Sequence, residues 1–293
     1  MLQASNRFFA FGCSLTRCTY PTWADILGRE FDHYENWGRG GSGNQFIFHS
    51  LIECHKRNNF TSSDTVIVQW ATTLREDRYV DKKGGWIGGG TLQNQQIYPK
   101  SWINEYSCTD GYLIRDLSLI HAAYELLTKW GVKFEFHAPV LITPTSDNPI
   151  IKLYQDTLDK CRPNIVKTIW SPNDTVQQWV SLWPISEKSK TFYWETAYNE
   201  LAGADWPLFV DFISGNYTSS KSIQRELDLF VKNYGGSLTH PTPQEHLEYL
   251  DRVFPEFEIS SNTREWVDGL RRNPSEEINY YNSNVPQRFN VNL

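Results

Sequence analysis

A serine at position 14, within Gly12-Cys13-Ser14-Leu15-Thr16, directly follows an apolar run, and a histidine at position 240 lies in Thr239-His240-Pro241. A serine hydroxyl is a poor nucleophile until a base takes its proton, and histidine is the side chain whose ionisation suits that task near neutral pH. Such a pair could open an ester carbonyl, with the histidine then protonating the leaving alcohol. The attack builds an oxyanion, which needs N–H donors already aimed at it. Two further segments could supply them: the glycine-rich Asn36-Trp37-Gly38-Arg39-Gly40-Gly41-Ser42-Gly43-Asn44 and the stretch Ala71-Thr72-Thr73-Leu74-Arg75.

These segments need a frame that carries them to one place. Residues 7–12 (RFFAFG) are a short apolar run ending in glycine, and Thr-x-x-Asp at 22–25 opens a helical pattern over 22–30 with a near capping box. Residues 31–37 give a weaker strand signal, followed by a helix over 44–57 in which Phe46, Ile47, Leu51 and Cys54 recur at helical spacing. Residues 65–70 (TVIVQW) are β-branched, uncharged and few, as in a strand buried on both faces. A helix over 112–130 is stopped by Gly131, and a strand over 132–141 is ended by Pro139 and then Pro144. This βαβαβαβ alternation predicts an α/β fold with a parallel sheet wrapped on both faces by helices. In such sheets the ligand crevice lies at the carboxyl ends of the strands, so the four segments would meet on one edge.

Beyond Pro144 the periodicity is weaker, with helices expected at 151–160, 175–183 and 220–232 and a strand near 206–212. A helix over 242–253 is better marked, because Thr242 can cap it, Pro243 suits its first turn and Glu245 completes the box. Residues 72–110 read as a long irregular segment, glycine-rich around 84–90, of the kind that overhangs a site. The last forty residues are polar and aromatic without firm periodicity.

A strand ending in Gly-x-Ser-Leu-Thr near the N-terminus and a His-Pro just before a late helix resemble the outer sequence blocks of the SGNH/GDSL hydrolases. Trp70 and Arg75 after the third strand make the chain similar to the SGNH-like proteins of bacteriophages and marine bacteria. The resemblance covers residues about 7–75 and 235–250. It implies a flavodoxin-like three-layer α/β/α sandwich with a mostly parallel sheet, Ser14 as nucleophile and His240 as general base. The oxyanion hole would be formed by the backbone amides of Ser14 and Gly41, with Gly43 as the alternative glycine, and by Thr73 or Thr72. Those threonines stand where the family has the Asn of Gly-x-Asn. Ser237 stands where the family has an Asp, so Ser237 or a backbone carbonyl would orient His240; loss of that acid costs on the order of 10⁴ in turnover in serine proteases. Arg75 could meet a substrate carboxylate or phosphate, or serve in a loop ion pair, and Asn44 and Trp70 are further candidates for orienting or substrate contact.

The activity so implied is that of a serine esterase or deacylase, a carbohydrate deacetylase among the options, working through a Ser–His dyad or an atypical triad and an acyl-enzyme. An acyltransferase would use the same residues. The departures at Thr73 and Ser237 would also suit a non-catalytic carbohydrate-binding or structural module. The resemblance divides the chain into a hydrolase-like domain over 1–255, with a long loop near 72–110 and aromatic-rich insertions near 144–215, and a wrapping tail over 256–293.

Composition narrows the partners. A net charge of −6 with no Lys/Arg run argues against nucleic acid, leaving a small-molecule or carbohydrate ester as the expected substrate. Five cysteines, odd in number and without a CxxC pair, argue against a disulfide framework or zinc knuckle, and no cofactor or metal is expected. No apolar run approaches a membrane span and residues 8–11 are too short for a signal peptide, so no membrane partner and a cytoplasmic setting are expected, or a virion for a phage-encoded chain. The run from Gly38 to Gly43 formally matches GxGxxG. However, the preceding stretch is a charged, poor strand, no acidic residue ends a strand about 20 positions on, and the Lys of a phosphate loop is missing. His137, at the end of the fourth strand, reads as a core histidine that could instead line the cleft, His246 reads as a solvated or packed one rather than a metal ligand, and the Asn-x-Thr triplets at Asn59, Asn173 and Asn216 would matter only in a secreted chain. Twelve Trp and fifteen Tyr are read first as packing, with the later aromatic segments as a substrate wall.

Overall fold

The computed structural model describes residues 6–18, 21–71, 75–80, 85–91, 98–137, 149–165 and 243–270. Four strands, β1 (Arg7–Phe11), β2 (His33–Asn36), β3 (Thr65–Gln69) and β6 (Lys133–His137), form a parallel sheet in the order β2-β1-β3-β6. In register, Phe8 lies opposite Tyr34 and Thr65, and Val66 opposite Phe134. The order reverses direction between β1 and β3, as in doubly wound sheets of flavodoxin type, and this reversal opens the crevice at the strands' carboxyl ends.

Helices cover both faces because the strands are apolar on both. Phe9, Phe11, Val66, Val68 and Phe136 point to one side, where they pack with Ile47, Leu51 and Cys54 of α2 (Asn44–Asn58) and Ile120, Ala123 and Leu127 of α4 (Thr109–Trp130). Phe8, Ala10 and Ile67, the alternate residues, point to the other. There they meet α1 (Trp23–Gly28), α7 (Pro243–Val253) and α8 (Ser261–Leu270) through Ile26, Leu27, Leu250 and Val267, with Phe254 just past α7. The result is a three-layer α/β/α sandwich. Burying one large aromatic such as Phe8 or Phe9 fully is worth about 3–5 kcal/mol against alanine, so the two faces share the load.

The helix ends follow their sequences. Asn59 and Gly131 take the left-handed conformation at the ends of α2 and α4, where their amides donate to His55 O and Thr128 O. At the start of α1 the Thr22 amide donates to Asp25 Oδ2 at 2.9 Å, half of the capping box read at 22–25.

Three segments differ from their sequence reading. Residues 75–80 and 85–91, taken as irregular, are antiparallel strands β4 (Arg75–Val80) and β5 (Gly85–Thr91) of one hairpin, and α3 (Lys100–Tyr106) follows. The helix expected over 151–160 is two, α5 (Pro149–Leu153) and α6 (Gln155–Ile165), broken at Tyr154. Residues 261–270, placed in a tail without periodicity, are the helix α8, capped by Ser260 Oγ and burying Thr263, Val267 and Leu270 against the core. The elements expected at 175–183, 206–212 and 220–232 lie outside the described residues. No helix among the described residues is long and apolar enough to cross a membrane.

Candidate functional site

β1 ends at Phe11, and the chain turns at once, with the amides of Thr16 and Arg17 both donating to Cys13 O at 3.0 Å. Gly12 makes this turn fit, since a Cβ there would sit 1.9 Å from Thr16 Oγ1. Within residues 8–16 Ser14 alone is partly exposed, at the point where the strand order reverses. The turn is held from beneath. Thr16 Oγ1 donates to Gln69 Oε1 (2.8 Å), Asn36 Nδ2 and Thr22 Oγ1 donate to Thr16 O (2.8 and 2.5 Å), and Trp23 Nε1 reaches Gln69 Oε1 (3.3 Å). Asp25, buried, accepts from Asn36 Nδ2 (3.0 Å), Tyr34 OH (2.9 Å) and the Thr22 amide. Burial pushes its carboxyl above the usual aspartate range against the pull of these donors.

The glycine-rich segment after β2 runs alongside. Trp37 N donates to Ala10 O (2.8 Å) and Arg39 N to Gly12 O (3.1 Å), which ties this loop to the one carrying Ser14. A tight turn follows, closed by Ser42 N to Arg39 O at 3.2 Å, with Gly41 at φ +73° in its third position, where type II turns need glycine. A Cβ on Gly40 would lie 4.0 Å from Ser14 Cβ, so the turn's backbone passes beside the serine side chain. The neighbouring amides are spent: Gly38 N on Asn36 Oδ1 (3.0 Å), Gly43 N on Asp77 Oδ1 (2.8 Å) and Phe46 N on Asp77 Oδ2 (3.0 Å). The amides of Gly40 and Gly41 have no such partner among the described residues. Of the two glycines weighed as oxyanion donors, Gly43 has its amide bound to Asp77, whereas that of Gly41 has no partner among the described residues. Gly43 is glycine for another reason, because a Cβ would meet Arg75 Cβ at 2.8 Å and Asp77 Oδ2 at 2.9 Å.

The remaining sequence candidates have structural duties. Asn44 is 0% exposed and fully used: Ala71 N donates to its Oδ1 (2.7 Å), and its Nδ2 donates to Ala71 O (3.0 Å) and Asp116 Oδ2 (2.9 Å). It ties the end of β3 to α2. Trp70, also 0% exposed, packs edge-on against Phe136 in the core, with no acceptor for its indole N–H among the described residues. Arg75 donates to Ser42 O at 2.9 Å, which places its guanidinium on the glycine-rich loop. Thr72, Thr73, Ser237 and His240 lie outside the described residues. His137 and His246 are both buried, and His137 lies against the ring of Phe254, 4.3 Å between centroids.

Sequence reading missed the charged group behind the glycine-rich loop. Arg115 donates to Arg75 O (2.9 Å) and Asp116 Oδ1 (2.8 Å) and pairs with Glu76 (3.3 Å), while Tyr112 OH donates to Glu76 (2.7 Å). The Asp116 carboxyl is pushed up to about 6 by burial, in spite of Arg115 and Asn44. One signal was present: Asp116 interrupts the apolar stripe Leu113, Leu117, Ile120 on α4, where an aspartate needs buried partners.

No protein-family model matches the sequence, and no curated protein matches it. Among solved structures the chain is similar to the psychrotrophic esterase EstA from Pseudoalteromonas sp., at 10% identity and a TM-score of 0.28, over 57% of this chain and 76% of that one. It is similar to an acetyl xylan esterase from the rumen bacterium Butyrivibrio proteoclasticus at 12% identity and 0.31, over 58% and 56%. A Bacillus subtilis protein is similar at 10% identity and 0.32, over 61% and 46%. The chain thus spans about half the length of the latter two. Likenesses this distant carry no argument about activity, and the α/β sandwich rests on the sheet order itself.

Proposed function

We propose that the chain is a serine hydrolase of the esterase or deacylase type, with Ser14 as nucleophile and His240 as general base. The observation that carries this reading is the pairing of a partly exposed serine, at the reversal point of the sheet, with the unused amides of the Gly40–Gly41 turn beside it. Ser14 Oγ would attack an acyl carbonyl as its proton passes to His240. The tetrahedral oxyanion would be held by the Gly41 amide together with that of Ser14. The alcohol leaves with the proton from His240, and water repeats the sequence on the acyl-enzyme. Support for His240 comes from its place in the chain, in a His-Pro pair three residues before α7 begins, as the sequence resemblance implies. We take the substrate to be a small or carbohydrate-borne ester.

The test is turnover of p-nitrophenyl acetate and of acetylated sugars by wild type, Ser14→Ala and His240→Ala. Both variants should fall by about 10³-fold or more. Hydrolysis that survives Ser14→Ala unchanged would end this reading. One observation favours a non-catalytic carbohydrate-binding module instead: Thr72 or Thr73 and Ser237 stand where the resembling family has its Asn and Asp. Saturable binding of acetylated sugars without any Ser14-dependent turnover would be its signature.

A further inference from the structure

We infer that Asp77, on the β4–β5 hairpin, is a positioning residue for the turn that would hold the oxyanion; the inference rests on the hydrolase reading above. The turn from Arg39 to Ser42 is fixed at its two ends and not in its middle. At its start, Arg39 N is bound to Gly12 O, in the same loop that carries Ser14. At its end the hold comes from the hairpin: Arg75 donates to Ser42 O at 2.9 Å, and the Asp77 carboxylate takes the Gly43 amide at 2.8 Å and the Phe46 amide at 3.0 Å.

Gly40 and Gly41 therefore inherit their distance to Ser14 from these two anchors. The second anchor is a carboxylate from a separate sheet doing the work of an N-cap. The first residue before α2 is Gly43, which has no side chain with which to cap the helix, and Asp77 supplies one from outside. The pieces are mutually required. Only glycine at 43 lets Arg75 Cβ and Asp77 Oδ2 come so near, and Asp77 is buried, so it binds no bulk water in place of the two amides. A carboxylate accepting two N–H bonds from one helix start fixes both position and direction of the preceding loop. Oxyanion donors act only when pre-aimed, so loss of this anchor should lower the rate of the chemical step and leave ground-state binding nearly as it was.

The experiment compares full-length wild type with Asp77→Asn and Arg75→Met, each checked for folding by circular dichroism and urea unfolding, with p-nitrophenyl acetate as substrate. Asp77→Asn is isosteric but offers one acceptor where there were two. The expected result is a fall in kcat of about 10- to 100-fold with KM within about three-fold of wild type, and a smaller fall of the same kind in Arg75→Met. An unchanged kcat in folded Asp77→Asn, or a loss confined to KM, overturns the inference. If Asp77→Asn does not fold, Arg75→Met decides by the same split, since it keeps the Asp77 carboxyl as cap and removes the guanidinium that holds Ser42 and lies beside Asp77. A wild type without Ser14-dependent turnover has a different meaning: it removes the hydrolase reading, and the positioning role with it.

Discussion

Two buried polar groups stand behind the candidate site, one beneath Ser14 and one beneath the Gly40–Gly41 turn, and they are built on opposite plans. Beneath Ser14, neutral donors from Thr22, Tyr34 and Asn36 converge on Asp25, and Thr16, Trp23 and Gln69 complete the group. Apart from Gln69, every member comes from residues 16–36, so the group is nearly local. Beneath the turn, Asp77, Glu76 and Asp116 face Arg75 and Arg115, with members drawn from α2, the hairpin and α4. The local group folds with the strand and helix that carry it. The distant group forms only once three elements have docked, so it should couple the site to the packing of the hairpin. Opposite charges suit that task because a buried charge left unpaired is costly, which penalises every misplaced arrangement.

The largest way to break this contrast is Asp25→Ala. It would leave the Thr22 amide, the Tyr34 hydroxyl and an Asn36 N–H without their buried acceptor, at about 3–5 kcal/mol in urea unfolding. A loss below about 1 kcal/mol would mean that water reaches these donors and that the group is no closed brace.

The second is a pH test of Asp116. Its folded pKa, about 6, lies above the ordinary aspartate value, so its contribution to stability is fully present below the unfolded pKa and is lost as pH rises through 6. Relative to Asp116→Asn, wild type should lose about 2 kcal/mol between pH 4 and pH 7, an order-of-magnitude figure read from paired urea titrations. A difference that stays flat with pH would show that Asp116 ionises normally and that Arg115 offsets its burial.

Gly12→Ala sharpens the comparison on the Ser14 side. The new Cβ would fall on Thr16 Oγ1 and push it from Gln69, costing about 2 kcal/mol and lowering activity with it. Gly41→Ala is the smallest of the four in stability, about 1 kcal/mol for a left-handed alanine. Its kcat should nonetheless fall further than that of Gly12→Ala at equal loss of stability; equal effects on kcat would say that the turn takes no part in the reaction.

Much of the frame was legible. The apolar runs at 7–12 and 65–70 and the spaced apolar residues of 44–57 and 112–130 became β1, β3, α2 and α4, because both faces of this sheet are covered and its strands need no polar side. The hairpin was not legible, since REDRYV and GWIGGGT show no apolar alternation; its buried groups are Glu76 and Asp77, satisfied by partners from α2 and α4. Ser14 and Gly41 were singled out by their place after strands, and the structure sets the turn that holds Gly41 beside Ser14. Asn44 and Trp70 occupy equally favourable sequence positions, yet the first is spent on Ala71 and the second on the core.

By itself the sequence determined the alternation of strands and helices, the place of Ser14 at a strand end and the glycine run beside it, because periodicity and turn chemistry are local properties of the chain. Tertiary structure alone decided which glycine keeps its amide, where Arg75 points and that Asp77 caps a helix thirty residues behind it. Hydrogen bonds between distant elements depend on how those elements dock, and residue spacing carries no record of that.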